Sequence, residues 1–174
     1  MNSAHFLSRR RLLTGTAATA VLAGFPNLLL AQGNTAKLKI GLIGCGGRGT
    51  GSAQQALSAD PNVVLWAVGD AFAEAIPGSL NGLKNFGAKV DVPAERQFSG
   101  LDAYQKVIDS GVDVVLLGAP PGFRPQHLRA AIEAGKHVFA EKPMAVDVAG
   151  VKSVMESAKL AKQKGVAIQH GYCW

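Results

Sequence analysis

Short apolar runs recur along the chain, separated by segments with helical spacing. Leu38-Lys39-Ile40-Gly41-Leu42-Ile43 is the first run, and Val63-Val64-Leu65-Trp66-Ala67-Val68-Gly69 is the second. Val112-Asp113-Val114-Val115-Leu116-Leu117, His137-Val138-Phe139-Ala140 and Val166-Ala167-Ile168 follow. Each is short and nearly continuous in apolar residues, the pattern of strands covered on both faces. A further short strand is predicted near residues 96–98.

Between the runs the spacing predicts helices. One covers residues 50–57, and a second covers 72–86 with an interruption at Pro77-Gly78. Ser99-Gly100-Leu101-Asp102 has the form of a capping box, with Asp in place of Glu or Gln, and opens a helix running to Asp109. Residues 126–134 form the next helix, stopped by Gly135. Asp147 caps a long helix ended by Gly165, and its residues Val148, Val151, Val154, Met155, Ala158 and Ala161 form an apolar stripe expected to face the core. Strands alternating with helices imply an α/β fold, a parallel sheet wrapped on both faces. Ligands of such sheets bind beyond the C-terminal ends of the strands, so candidate chemistry belongs just after each run.

Directly after the first run stands Gly44-Cys45-Gly46-Gly47-Arg48-Gly49, a G-x-G-x-x-G pattern between a strand and a helix. This order is the dinucleotide-binding fingerprint and makes the fold a Rossmann-type doubly wound sheet. Gly44 permits the tight turn, Gly46 lets backbone approach a pyrophosphate, and Gly49 lets helix and strand pack closely. Gly47 belongs to the same cradle. The N–H groups of the helix start face the phosphate charge. Arg48 offers a guanidinium fork to the pyrophosphate, or is simply a solvated arginine near a helix start.

Asp70 follows the second run, about 20 residues beyond Gly49, where an acid accepts hydrogen bonds from ribose hydroxyls and repels a 2′-phosphate. Ala71, Phe72 and Ala73 offer no cation to that phosphate, so the expected cofactor is NAD, with NADP disfavoured. Capping of the next helix is the alternative role for Asp70.

Composition refines the picture at the N-terminus. Ser8-Arg9-Arg10-Arg11-Leu12-Leu13 precedes a mildly apolar stretch too short and too weakly apolar to span a membrane, and residues 1–31 resemble a twin-arginine export signal, with an ordinary Sec signal or a disordered basic tail as the alternatives. The chain carries 18 Lys and Arg against 12 Asp and Glu, a net +6, but three of those arginines lie in this leader. The remainder is only mildly basic and lacks a basic-aromatic cluster, so nucleic acid is not an expected partner. Cys45 and Cys173 read as free thiols rather than a disulfide framework, and no metal-ligand spacing is present.

From Ala130 onward the chain reads A-A-I-E-A-G-K-H-V-F-A-E-K-P-M-A. With the glycine loop, Ala119-Pro120 and His127 in the same order, this strongly resembles the N-terminal domain of the Gfo/Idh/MocA oxidoreductases over residues 37–171. The resemblance implies that Lys142 lies beside the nicotinamide and the reacting hydroxyl, where an ammonium orients the hydroxyl and stabilises developing charge. It implies that Glu141 contacts the ribose–nicotinamide end of the cofactor, and that Ala119, Pro120 and His127 line the cofactor site. A helix-start hydrogen bond is the alternative for His127. A cis Lys142–Pro143 bond is a recurring possibility at such a site. His137 reads as structural, and His170 and Tyr172 lie at the ligand edge without an assignable role.

The implied activity is NAD-dependent oxidation or reduction of a sugar, polyol or similar polyhydroxy compound. Two alternatives remain: hydrolysis of a glycoside by transient oxidation on bound NAD, and dinucleotide binding without catalysis. Glu141-Lys142-Pro143 favours net redox chemistry over hydrolysis. The family carries a second α/β domain that shapes the substrate pocket and supports homo-oligomers. No such domain follows in a chain ending at Trp174, so the expectation is a cofactor domain by itself.

Overall fold

The computed structural model describes residues 37–171. The leader at 1–31, Tyr172 and Cys173 lie outside the described residues. Six strands form one parallel sheet: β1 (Leu38–Ile43), β2 (Val63–Asp70), β3 (Gln97–Ser99), β4 (Val114–Leu117), β5 (His137–Glu141) and β6 (Ile168–Gly171). Their order is β3-β2-β1-β4-β5-β6. Five α-helices connect them: α1 (Gly47–Ala59), α2 (Ala75–Leu83), α3 (Ala103–Asp109), α4 (Arg124–Glu133) and α5 (Val148–Lys164). The chain leaves edge strand β3 and re-enters beside β1 as β4, so the winding reverses between β1 and β4.

Period-two alternation splits the sheet into two cores. Ile40, Leu42, Leu65, Val68 and Leu116 face α1 and α2 with Leu57, Ile76 and Leu83. Ile43, Ala67, Val115, Leu117 and Val138 face the other way, onto Val107, Ile108, Leu128 and Ile132. On that second face Val107 sits against strand positions without side chains. A Cβ at Gly41 would lie 2.6 Å from Val107 Cγ1, and one at Gly69 would lie 2.8 Å from Val107 Cγ2. The glycines thus let α3 approach the middle of the sheet closely.

Several local expectations change in three dimensions. Pro77 does not interrupt α2. It occupies the first turn, where a missing N–H costs no hydrogen bond, and the helix runs on through Gly78. The capping box does not form: Ser99 ends β3, and Asp102 makes no cap hydrogen bond but pairs with Lys106 at 2.8 Å. Helix α4 starts two residues early, at Arg124, because Pro125 is well placed in a first turn.

The largest correction concerns α5. Asp147 Oδ1 caps it as expected, accepting from Gly150 N at 2.6 Å, and Gly165 ends it at φ 69°. The apolar stripe faces the core only in part: Val154 and Ala161 pack on it, whereas Val148, Val151, Met155 and Ala158 are exposed. The buried line is Ser157 and Ala161, with Val154 and Leu160 half-covered. Small residues one turn apart allow close helix packing, whereas an apolar count along the sequence does not tell which side faces in.

Candidate dinucleotide cleft

Strand register brings the loops together. Ile43 pairs with Gly69 and Leu117, and Leu117 pairs with Ala140. The next residues of all four strands therefore emerge at one edge: Gly44, Asp70, Gly118 and Glu141. An irregularity in the β1–β2 pairing, which steps from Ile40–Leu65 to Gly41–Ala67, leaves Trp66 unpaired in the register.

The glycine turn is built by backbone contact. Gly44 adopts φ +96°, and a Cβ there would lie 2.3 Å from Ala119 N. A Cβ at Gly49 would lie 1.9 Å from Gly44 O, and one at Gly118 would lie 2.6 Å from Gly49 Cα. At Gly46 and Gly47 an added Cβ meets nothing within 4 Å, so their side-chain space is open. Gly46 caps α1 without a side-chain hydrogen bond, and no acid occupies the first turn. Thr50 N donates to Gly46 O at 2.9 Å. The earlier N–H groups lack helical acceptors by geometry. Such a helix end attracts an anion.

The turn borders a cleft of about 680 Å³ lined by Gly44, Gly46, Asp70, Pro120, His127 and Lys142, among others. Gly47, Arg48, Ala119 and Glu141 line it too, whereas Gly49 packs behind the turn. Asp70 accepts from Cys45 N at 2.6 Å through Oδ2 and from Phe72 N at 2.9 Å through Oδ1. The carboxylate is thus oriented by backbone at the end of β2. Each oxygen keeps acceptor capacity for a ribose hydroxyl. Cys45 is buried within the turn, and burial first, then the Asp70 charge, pushes its thiol up to about 12.

Glu141 is 2 % exposed, and Ser52 Oγ donates to its Oε1 at 2.5 Å. Arg48 Nε pairs with its Oε2 at 2.8 Å. Burial raises the Glu141 pKa, but the Arg48 and Ser52 contacts and the Arg124 charge more than offset it, leaving it below the ordinary carboxylate range. Lys142 is exposed on the cleft wall, and the Lys142–Pro143 bond is cis.

His127 is buried on α4, stacked on Tyr104 with ring centroids 4.3 Å apart, and its Nδ1 has no hydrogen-bond partner. Burial, helped by the Arg124 cation, pushes its pKa down to about 4, so the ring is neutral near pH 7. His137 is structural, its Nδ1 accepting from Ala167 N at 3.0 Å.

Two residues at this site escape a sequence reading. Ser52 is a polar residue inside a helix, with no motif to mark it. Arg124 is 2 % exposed, and its guanidinium donates to the carbonyls of Ala119 and Pro143. Its one sequence signal is a cation at a helix start, where the helix dipole repels it.

A doubly wound parallel sheet with an open glycine cradle at the reversal point and an acid after the second strand defines a dinucleotide-binding protein. Residues 38–172 match the family model for the Gfo/Idh/MocA "Oxidoreductase family, NAD-binding Rossmann fold", and the chain belongs to that family. It is 26% identical over 161 residues to a "Glycosyl hydrolase family 109 protein" of Shewanella amazonensis, covering 92% of this chain and 34% of the relative. It is 29% identical over 124 residues to the myo-inositol 2-dehydrogenase of Thermotoga maritima, covering 71% of this chain and 34% of that enzyme. Among solved structures it resembles scyllo-inositol dehydrogenase from Lactobacillus casei with bound NAD(H) and scyllo-inositol. That likeness has a TM-score of 0.58 and 25% identity, over 78% of this chain and 36% of the other. The chain thus spans about a third of the length of these relatives.

Proposed function

We propose that this chain is the NAD-binding unit of an oxidoreductase acting on a sugar, polyol or related polyhydroxy compound. The observation that carries the reading is the convergence of the open glycine cradle, Asp70 and Lys142 on one cleft. The start of α1 and the Arg48 guanidinium would hold the pyrophosphate. Asp70 accepts from the adenosine ribose. Ala119, Pro120, His127, Glu141 and Lys142, at the ends of β4 and β5, would hold the other half of the dinucleotide.

A nicotinamide bound there supplies a hydride acceptor. Lys142 would donate a hydrogen bond to the substrate oxygen and stabilise the alkoxide that forms as the hydroxyl proton passes to a base or to water and hydride passes to the nicotinamide. Glu141, beside Lys142, holds Arg48 in place at the start of α1. Calorimetric titration with NAD and NADP tests the cofactor reading. NAD should bind, and NADP should bind roughly tenfold or more weakly because Asp70 repels the 2′-phosphate. No binding of NAD would overturn it. NADH formation on addition of inositols or aldoses tests turnover by the chain, and binding without turnover would leave it a cofactor-holding unit.

A second reading is glycoside hydrolysis through transient oxidation on bound NAD, favoured by the likeness to a glycosyl hydrolase family 109 protein. Glu141-Lys142-Pro143 supports net redox chemistry instead. Release of a free sugar from a glycoside without net NADH would decide for hydrolysis.

We infer further that the leader at Arg9-Arg10-Arg11 routes the protein through twin-arginine export, folded around its cofactor. An exported enzyme finds no NAD outside the cytoplasm, so loading before transport answers that need. Changing Arg9 and Arg10 to Lys should hold the protein in the cytoplasm, and unchanged fractionation would sink the idea.

A further inference from the structure

Two loops bound the half of the cleft away from Asp70. One follows β4 and carries Ala119 and Pro120, and the other follows β5 and carries Lys142 and Pro143. Neither loop is regular, and β4–β5 pairing ends at Leu117–Ala140. Beyond that pair, one buried side chain joins them: the Arg124 guanidinium donates to Ala119 O with one terminal nitrogen and to Pro143 O with the other. Arg124 stands at the first position of α4, and a Cβ on Gly150 would lie 3.2 Å from its neighbour Pro125. The fork is therefore anchored by a helix start packed against the start of α5.

A charge 2 % exposed at a helix N-terminus is costly, and burial lowers its pKa while the Glu141 charge raises it. A hydrocarbon side chain would fill that space more cheaply. What only a planar guanidinium supplies is two donors at fixed separation.

We propose that Arg124 is a positioning residue, whose fork sets the spacing of the Ala119-Pro120 and Lys142-Pro143 loops and so shapes the nicotinamide half of the cleft. The proposal rests on the cofactor reading above. It predicts a split between the two halves of the dinucleotide. Asp70 bonds Cys45 N and Phe72 N, not Arg124, whereas Ala119 and Pro143 in the two loops accept from Arg124.

The test compares NADH with ADP-ribose, which lacks the nicotinamide, on the unsubstituted chain and on Arg124→Gln and Arg124→Lys. Both variants should bind NADH roughly tenfold more weakly, with loss of the nicotinamide fluorescence enhancement, and hold ADP-ribose within about twofold. Lys keeps the charge and loses the fork, so it decides the matter if the Gln variant does not fold. Equal weakening of both ligands, unchanged NADH binding, or loss of the folded state in both variants would overturn the positioning role. Failure of the unsubstituted chain to bind either ligand would overturn the cofactor reading itself, and the positioning role with it.

Discussion

Ser52 on α1 and Glu141 at the end of β5 are 89 residues apart in the chain and meet in a buried 2.5 Å hydrogen bond. With Arg48 on the other carboxylate oxygen, Glu141 ties the helix behind the glycine turn to the strand that presents Lys142. The bond couples the start of α1 to the cleft wall that carries Lys142.

Removing the donor should therefore be costly. Ser52→Ala leaves a buried carboxylate oxygen short of a hydrogen bond, and we expect a loss of about 1–3 kcal/mol in urea unfolding. Glu141→Ala should cost more, about 3–5 kcal/mol, because buried Arg124 loses the Glu141 charge that favours its charged form. Equal stability of Ser52→Ala and the parent would show that the contact contributes little.

Two glycines of the same turn should separate fold from binding. Gly49→Ala drives a Cβ against the Gly44 carbonyl, backbone that cannot yield, and should cost at least about 3 kcal/mol or prevent folding. Gly46→Ala adds its methyl to open space in an extended conformation that alanine adopts freely. It should melt within about 0.5 kcal/mol of the parent and lose roughly tenfold or more in NAD affinity. Undiminished NAD binding by Gly46→Ala would place the pyrophosphate elsewhere.

His127 predicts a pH dependence. The unfolded chain takes up a proton near pH 6.5, whereas the folded chain refuses it until about pH 4. Stability from this group is complete above pH 6.5 and is lost as pH falls through that window, by up to about 3 kcal/mol. His127→Phe keeps the stack on Tyr104 and should flatten the slope between pH 6.5 and 4. A slope that persists would assign it to other groups.

Cys45 should be inert despite its place in the cofactor turn. With its thiol pushed up to about 12, its thiolate fraction at pH 8 falls roughly a thousandfold below that of an ordinary cysteine. Iodoacetamide labelling resolved by peptide mapping, which separates Cys45 from Cys173, should modify Cys45 only on unfolding. Rapid native labelling would mean that the turn opens.

The sequence by itself determined which segments become strands, the glycine turn and the acid after β2. Each of these rests on local physics: unbroken apolar runs, a positive φ at Gly44 and a polar residue just past a strand. It also marked Asp147 and Gly165 as the ends of α5, since caps are local. Only the tertiary structure decided what faces what. The exposed Val148, Val151 and Met155 look like core in sequence, because periodicity reports that a helix has an apolar side and not which surface covers it. Arg124 and Ser52 carry no motif, because their partners are carbonyls and a carboxylate brought near by strand register. The turn at Gly44 is thus readable from its own residues, while the fork of Arg124 and the buried pair of Ser52 and Glu141 exist only once the sheet has aligned its ends.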